Sequence, residues 1–227
     1  MIVVDVIMLT DSSDIALTQR TINTLHDSEK DYKFNIQLID SGDNDITKYN
    51  GWHNYFHLDS KFNYNAYLNF GFTFVTGDWV VISNDDVAYE HHWFTEMMNV
   101  HTERPDIESF SPRDPVLYAI YFPNHFVGGQ NTYHESYKVT EFFQGWCIAI
   151  KKTALDKILP LDEQFDMYYQ DNDFAEMLKK EEIKHALVRY SVALHMNTLN
   201  AGQPTEKQIN KLKEDETKFR TKWNLLK

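Results

Sequence analysis

The sequence predicts an α/β fold, a mainly parallel sheet flanked by helices. Three observations lead there. Short apolar, β-branched runs alternate with stretches of near-helical apolar spacing. The first three elements read strand, helix, strand, which within one sheet means a right-handed crossover and a parallel pair. Three of the strand-like runs stop at a short polar cluster containing Asp, and the carboxyl edge of an open α/β sheet is where ligands bind.

In chain order, Val3 to Leu9 reads as a buried strand, and Thr10-Asp11-Ser12-Ser13 supplies turn and N-cap chemistry for a helix running to about His26. Asn35 to Ile39 is a second strand, ending in Asp40-Ser41-Gly42-Asp43, and Tyr55 to Leu58 a short third one. Phe62 to Val75 looks helical, closed by Gly77, and His91 to His101 is another helix. The segment 103–141, with Pro105, Pro112, Pro115, Pro123 and Gly128-Gly129, reads as loops with a strand near Val116 to Phe122. Phe142 to Ile150 is strand-like with Gly145 inside it, which suggests a bulge or a close approach by a ligand. Lys152 to Ile158 is a short helix, a longer one begins at Gln170-Asp171-Asn172-Asp173 and runs to about Glu181, and Ala186 to Leu194 is a strand ending at His195. From Thr205 a capping-box helix follows, its face mostly apolar through Ile209, Leu212, Phe219 and Trp223 with Glu216 among them. The expected division is one domain over 1–200 and a helical extension over 201–227 packed on it.

At 227 residues the chain can bury a proper core. Its net charge of −12 argues against non-specific nucleic-acid binding by the whole surface. The charge is uneven, for residues 177–227 carry 11 Lys/Arg against 6 Asp/Glu. A basic C-terminal quarter suits an anionic ligand or, equally, a solvated helix face. The single cysteine, Cys147, allows no disulfide within the chain and points to the cytoplasm. No apolar run reaches the roughly 20 residues of a membrane span, so membrane contact would be peripheral.

Trp79 to Val87, WVVISNDDV, is the stretch most suggestive of chemistry. Two adjacent carboxylates beyond a buried strand repel each other and are costly to bury. A hard divalent cation, Mg²⁺ or Mn²⁺, would resolve both problems, because it takes oxygen ligands and keeps phosphate oxygens in its other positions. A turn with solvated Asn and Asp accounts for the same residues when the stretch is taken alone. Elsewhere the chain lacks G-x-G-x-x-G, the P-loop and the G-x-S-x-G elbow, which weighs against dinucleotide-binding dehydrogenases, P-loop NTPases and α/β-hydrolases. With neither Gly nor Arg in Thr10-Asp11-Ser12-Ser13, a sugar nucleotidyltransferase is disfavoured as well.

Four pieces, in order, resemble the family-two glycosyltransferases. Val6-Ile7-Met8-Leu9-Thr10-Asp11 is similar to the opening strand of that family, and Ile39-Asp40-Ser41-Gly42 to its second. Asn69 and Gly71, then Thr76-Gly77-Asp78-Trp79 and the run to Asp86, resemble its N-x-G, A-x-G-[DE] and D-x-D stretch. Leu161-Asp162-Glu163-Gln164-Phe165 with Tyr169-Gln170-Asp171-Asn172-Asp173 resembles its F-D-E…E-D-x-D block. The resemblance covers roughly residues 3–196. Two registers of the D-x-D-like motif, Ser83-Asn84-Asp85 and Asn84-Asp85-Asp86, each lack the leading Asp, and Gln170 stands where the family often has Glu.

The resemblance implies a GT-A (Rossmann-like) fold and metal-dependent, inverting transfer of a sugar from a nucleotide-diphosphate donor, with a UDP-sugar favoured. It implies Asp171 as the general base, and Asp86 as metal ligand with His195 for Mn²⁺ or Mg²⁺. Thr10, Asp11, Asp40, Asn69 and Asp85 are implied for donor binding, and Gly145, Trp146 and Asp173 for the acceptor. The expected acceptor is a glycan or lipid-linked saccharide. Hydroxymethylated pyrimidine in modified DNA is an alternative, and a non-catalytic nucleotide-sugar binding module is another.

Overall fold

The structure is a computed structural model that describes residues 2–42, 45–122, 132–165, 167–196 and 205–225. Asp43, Pro123, Gly128, Gly129 and the expected boundary at 200/201 lie outside the described residues. The strands are β1 (Ile2–Thr10), β2 (Tyr32–Asp40), β3 (Asn54–His57), β4 (Trp79–Ser83), β5 (Val87–Tyr89), β6 (Ile107–Arg113), β7 (Tyr133–Glu135), β8 (Cys147–Lys151) and β9 (Lys184–His195). The helices are α1 (Ile15–Asp27), α2 (Tyr64–Phe72), α3 (Trp93–Glu103), α4 (Pro115–Tyr121), α5 (Lys152–Ile158), α6 (Gln170–Lys180) and α7 (Glu206–Lys222). Strand order is β3-β2-β1-β4-β8-β6-β9-β5, with β7 also paired to β9.

Period-two alternation divides the core between the two faces of the sheet. Val4, Val6 and Met8 of β1 pack on one face with Val81 of β4, Ile22 and Leu25 of α1, and Trp93, Phe94 and Met97 of α3. Ile7 and Leu9 point the other way, with Val80 and Ile82, against Leu68 and Phe72 of α2, Leu155 of α5 and Phe174 and Leu178 of α6. Both faces are covered, so the central strands read as continuous apolar runs rather than alternating ones.

β1 pairs in parallel with β2 and with β4, which brings Thr10 beside Asp40 and Met8 beside Ser83. β8 runs antiparallel to β4, Ser83 opposite Cys147, so it starts at the edge where β4 ends. β6 is antiparallel to β8 and parallel to β9, so Asp114 and His195 reach the same edge. Every polar strand end of interest therefore lies on one rim.

Several elements depart from the sequence expectation. Residues 116–122 are not a strand. Asp114 caps α4 by accepting from the Val116 and Leu117 amides at 2.8 and 3.0 Å, and Pro115 sits in its first turn. The strand is β6 instead, its pattern broken by Ser109, Ser111 and Pro112. Ser109 Oγ bonds His185 Nδ1 at 2.8 Å, and Ser111 Oγ accepts from the Gln144 amide at 3.0 Å. The strand expected over 142–150 begins only at Cys147. The Phe142 and Phe143 amides both turn back onto the Lys138 carbonyl, so Gly145 precedes the strand.

α1 is capped by Asp14, which frees Thr10 to Ser13 for the rim. α2 spans less than expected, from an Asn63 cap to Thr73, and Gly77 does not close it. The Gly77 amide, with that of Thr76, donates instead to the buried Asp5 carboxylate, both at 2.7 Å. α7 has its capping box, but Ile209 and Leu212 are exposed and only Phe219 of the expected apolar face is buried within it. The helix is anchored largely by polar contacts. Buried Asp215 accepts from the Tyr168 amide at 3.3 Å, Lys222 Nζ donates to Asp162 at 2.8 Å, and the Tyr169 and Phe219 rings meet at 5.3 Å.

Asp5→Ala strands two amides at the turn into β4. It is expected to cost about 3 kcal/mol of stability, read as a lowered urea midpoint with an unchanged slope.

Candidate active site

The rim is built from the ends of β1, β2 and β4, the start of β8, the end of β9 and the first turn of α6. At the β1–β2 end, Asp40 is fully buried and held on both oxygens. Oδ2 accepts from Ser12 Oγ at 2.6 Å and Tyr55 Oη at 2.9 Å, and Oδ1 from the Gly42 amide at 2.8 Å. Tyr49 Oη reinforces Ser12 at 3.0 Å. Burial, then the bond to Asp40, pushes the Tyr55 phenol well up. A Cβ on Gly42 would stand 2.0 Å from the Asp11 carbonyl oxygen, so only glycine lets this turn close. Thr10 is buried and its carbonyl receives the Ser41 amide at 2.9 Å, whereas Asp11 is exposed and bonds the Ser13 amide.

The two adjacent carboxylates beyond β4 diverge. Asp85 Oδ2 accepts from Thr18 Oγ1 of α1 at 3.0 Å, and its carbonyl from Thr21 Oγ1 at 2.8 Å. Burial raises its pKa while Thr10 and Thr18 oppose the rise. Asp86 turns instead toward β9. Its Oδ1 lies 3.0 Å from His195 Nε2, yet outside hydrogen-bonding geometry, and is buried without a hydrogen-bond partner. Asn84 Nδ2 is 3.3 Å from the same imidazole nitrogen. The His195 ring stacks on Trp146 at 5.3 Å and 3°, and its amide is held by Asp114 Oδ2 at 3.1 Å.

A buried carboxylate oxygen that receives no hydrogen bond and is paired with an imidazole nitrogen at 3.0 Å fits a divalent cation. Among the described residues no three His, Cys, Asp or Glu side chains group as a metal site. Asp86 and His195 would therefore supply two ligands and leave the other positions to phosphate oxygens and water, as Mg²⁺-type sites do.

Next to this point lies a cavity of about 400 Å³, lined among others by Asn84, Gly145, Trp146, Tyr64, Gln170 and Asp171. Asp171 sits in the first turn of α6, where carboxylates are favoured. Its Oδ1 accepts from the Asn172 amide at 2.8 Å, and burial raises its pKa. A Cβ at Gly145 would fall 2.7 Å from the Asp171 Cβ, so the glycine makes room for the carboxylate. Burial, then the nearby Asp171 carboxyl, pushes the Tyr64 phenol up. Cys147 is fully buried and its thiol is pushed up to about 12, as befits a core residue rather than a nucleophile.

The cavity thus gathers Asp171, Gly145 and Trp146 with Asn84, while Asp86 and His195 meet beside Asn84. Two expected residues stand elsewhere. Asp173 is fully buried and accepts from Lys222 Nζ and Trp223 Nε1, each at 2.8 Å, so it ties α7 to α6 and does not line the cavity. Asn69 exchanges two hydrogen bonds with the Leu161 backbone, at 2.9 and 2.8 Å, and clamps the segment leading to α6. Tyr64, Gln144, Tyr49 and Tyr55 went unnoticed as site residues because their residue types carry no spacing signal, and Gln170 enters the sequence reading only as the residue standing where the family often has Glu. Only the Asn63 cap, which sets the start of α2, hints that Tyr64 turns inward.

The sequence matches the profile of glycosyl transferase family 2 over residues 6–159, more than half of the chain, and the protein belongs to that family. No curated protein matches it. Among solved structures it is similar to the mannosyltransferase PcManGT from Pyrobaculum calidifontis in complex with GDP-Man and Mn²⁺. That likeness has a TM-score of 0.63 and 13% identity, and covers 87% of this chain and 58% of that one. It is also similar to GalNAc-T7 with UDP, GalNAc and Mn²⁺, with a TM-score of 0.69 and 12% identity over 89% of this chain and 45% of that one. The chain spans about half the length of these proteins, and the fold it shares with them is the GT-A fold.

Asp171 and Asp173, the two aspartates of α6, should respond in opposite ways to substitution. The folded-state pKa of Asp171 lies above its unfolded value, so stability falls as pH rises from the ordinary carboxylate range through the raised value. Asp171→Asn removes that loss and should raise the thermal midpoint at pH 7, with the difference from wild type vanishing near pH 4. Asp173→Ala strands Lys222 and Trp223 and should cost about 2 kcal/mol. Thermal scans across pH read both.

Proposed function

We propose that the chain is a metal-dependent, inverting glycosyltransferase that moves a sugar from a nucleotide-diphosphate donor, a UDP-sugar for preference, to an acceptor hydroxyl of a glycan or lipid-linked saccharide. One observation carries the reading. A desolvated carboxylate, Asp171, shares a cavity with Asn84, and an Asp86 oxygen that receives no hydrogen bond is paired with His195 next to Asn84. Membership in glycosyl transferase family 2 supports it, as do the Mn²⁺ and nucleotides named with the two similar structures. Residues 1–200 would form the GT-A domain, with 201–227 as its helical extension.

Asp171 accepts the proton of the acceptor hydroxyl as that oxygen attacks the anomeric carbon. The nucleoside diphosphate leaves from the opposite face, which inverts the configuration. Burial suits the carboxylate to this role, because a raised pKa makes it a stronger base. The Asn172 amide fixes its orientation. Asp86 and His195 would hold the cation, and a bound Mn²⁺ or Mg²⁺ would neutralise charge developing on the leaving diphosphate. Asp40, Asp11 and the Thr10 backbone line the donor end, and Asp85 presents its carboxylate from the same side. Trp146 and Gly145 border the acceptor.

Calorimetric titration of UDP and GDP with and without Mn²⁺ tests the donor half. One nucleotide is expected to bind only with metal, and Asp86→Asn to abolish that dependence. Asp171→Asn should retain nucleotide affinity and lower transfer by at least about 10²-fold, the scale of general-base loss. Metal-independent binding in the wild type, or transfer undiminished in Asp171→Asn, would reject the mechanism.

A further inference from the structure

We propose that the cavity beside Asp171 accepts an uncharged, polyhydroxylated unit, a neutral glycosyl ring, and that Gln170 Oε1 is the oxygen that receives one of its hydroxyls. The inference rests on the glycosyltransferase reading and adds the chemical class of acceptor to it.

The lining carries the argument. Among the described residues, Asp171 is the one charged side chain in the wall, and no Lys, Arg or His lines it. The other polar groups are neutral amides and hydroxyls, those of Asn65, Asn84, Gln144, Thr140 and Tyr64 among them. A phosphate or carboxylate brought here would face Asp171, and no Lys, Arg or His side chain in the wall would offset that charge. The chain as a whole carries −12. A hydroxylated neutral ring meets amides and hydroxyls without that penalty. The volume of about 400 Å³ falls within the range of small-ligand sites.

Gln170 supplies a second, independent observation. Its Oε1 is buried and has no hydrogen-bond partner. A buried acceptor left unmatched is costly, and a ligand O–H is a donor that would match it. Gln170 and Asp171 are consecutive in the first turn of α6 and both line the cavity, so one ring could give one hydroxyl to the base and a second to the amide. Trp146 adds a rigid apolar surface. Its Nε1 is held by Gln144 Oε1 at 3.0 Å and its ring is stacked on His195, which suits the C–H face of a sugar.

Saturation-transfer NMR on the full chain, with Mn²⁺ and whichever of UDP or GDP binds, tests this. The probes are the methyl glycosides of glucose, galactose, mannose and N-acetylglucosamine, set against methyl glucuronoside and glucose 6-phosphate. At least one neutral glycoside is expected to bind, and both anionic probes to bind about tenfold more weakly or not at all. Gln170→Met should weaken the neutral glycoside about tenfold. Gln170→Glu, which keeps an acceptor oxygen, should retain it, and both variants should bind nucleotide like the wild type, which reports that they are folded. Anionic probes binding as well as neutral ones, no neutral glycoside binding to the nucleotide-loaded protein, or an unchanged affinity in Gln170→Met would each overturn the inference while leaving the donor reading intact. Failure of the wild type to bind either nucleotide would overturn the reading beneath it and this inference with it.

Discussion

The antiparallel pairing of β8 with β4 is the constraint on which the rim depends. Ser83 lies opposite Cys147, so the residues before β8 arrive where β4 ends, and the Asn84 amide donates to the Trp146 carbonyl at 2.9 Å. That single reversal in an otherwise largely parallel neighbourhood sets Gly145 and Trp146 beside Asn84. A parallel β8 would have sent them to the opposite edge. β6 and β9 then follow from β8, and through them Asp114 and His195 come to the same rim.

The acidic groups gathered there are held in two distinct ways. Asp40 is saturated by Ser12, Tyr55 and the Gly42 amide, and Asp85 is braced by Thr18, so each charge has donors around it. Asp86 Oδ1 and Gln170 Oε1 are buried without such partners, and Asp171 has one backbone donor and a raised pKa. Satisfied groups shape a site, whereas buried unsatisfied ones are where a ligand gains most by binding. The proposed cation and the proposed acceptor both fall where the protein has left its own polar atoms unmatched.

Carboxylates of similar appearance in the sequence thus divide between architecture and chemistry. Asp5 anchors the turn into β4, Asp173 through Trp223 and Asp215 through the Tyr168 amide anchor α7, and Asp114 caps α4 while holding the His195 amide. Asp171 and Asp173, two positions apart on one helix, point into different surroundings because the helical turn separates them by about 200°. One opens onto the cavity and the other closes against Lys222 and Trp223.

The alternation of strand and helix, the identity of the buried runs and the polar cluster ending β1, β2 and β4 were determined locally. Hydrophobic periodicity and the capping residues Asn63 and Thr205 act within a few residues of chain, so they can be read along it. The family resemblance was legible for the same reason, in contiguous motifs such as Thr76 to Asp86, which lie within the matched residues 6–159. Residues 107–122 were misread because Ser109, Ser111 and Pro112 interrupt a strand whose polar groups are satisfied only by His185 and Gln144, far away in sequence. Asp173, Asn69 and Gln170 likewise could be sorted only in three dimensions, since their partners, or the lack of them, come from segments tens of residues distant. Local propensity determines which elements form; the direction of β8 and the long-range hydrogen bonds decide which side chains are satisfied by the protein and which remain for a ligand.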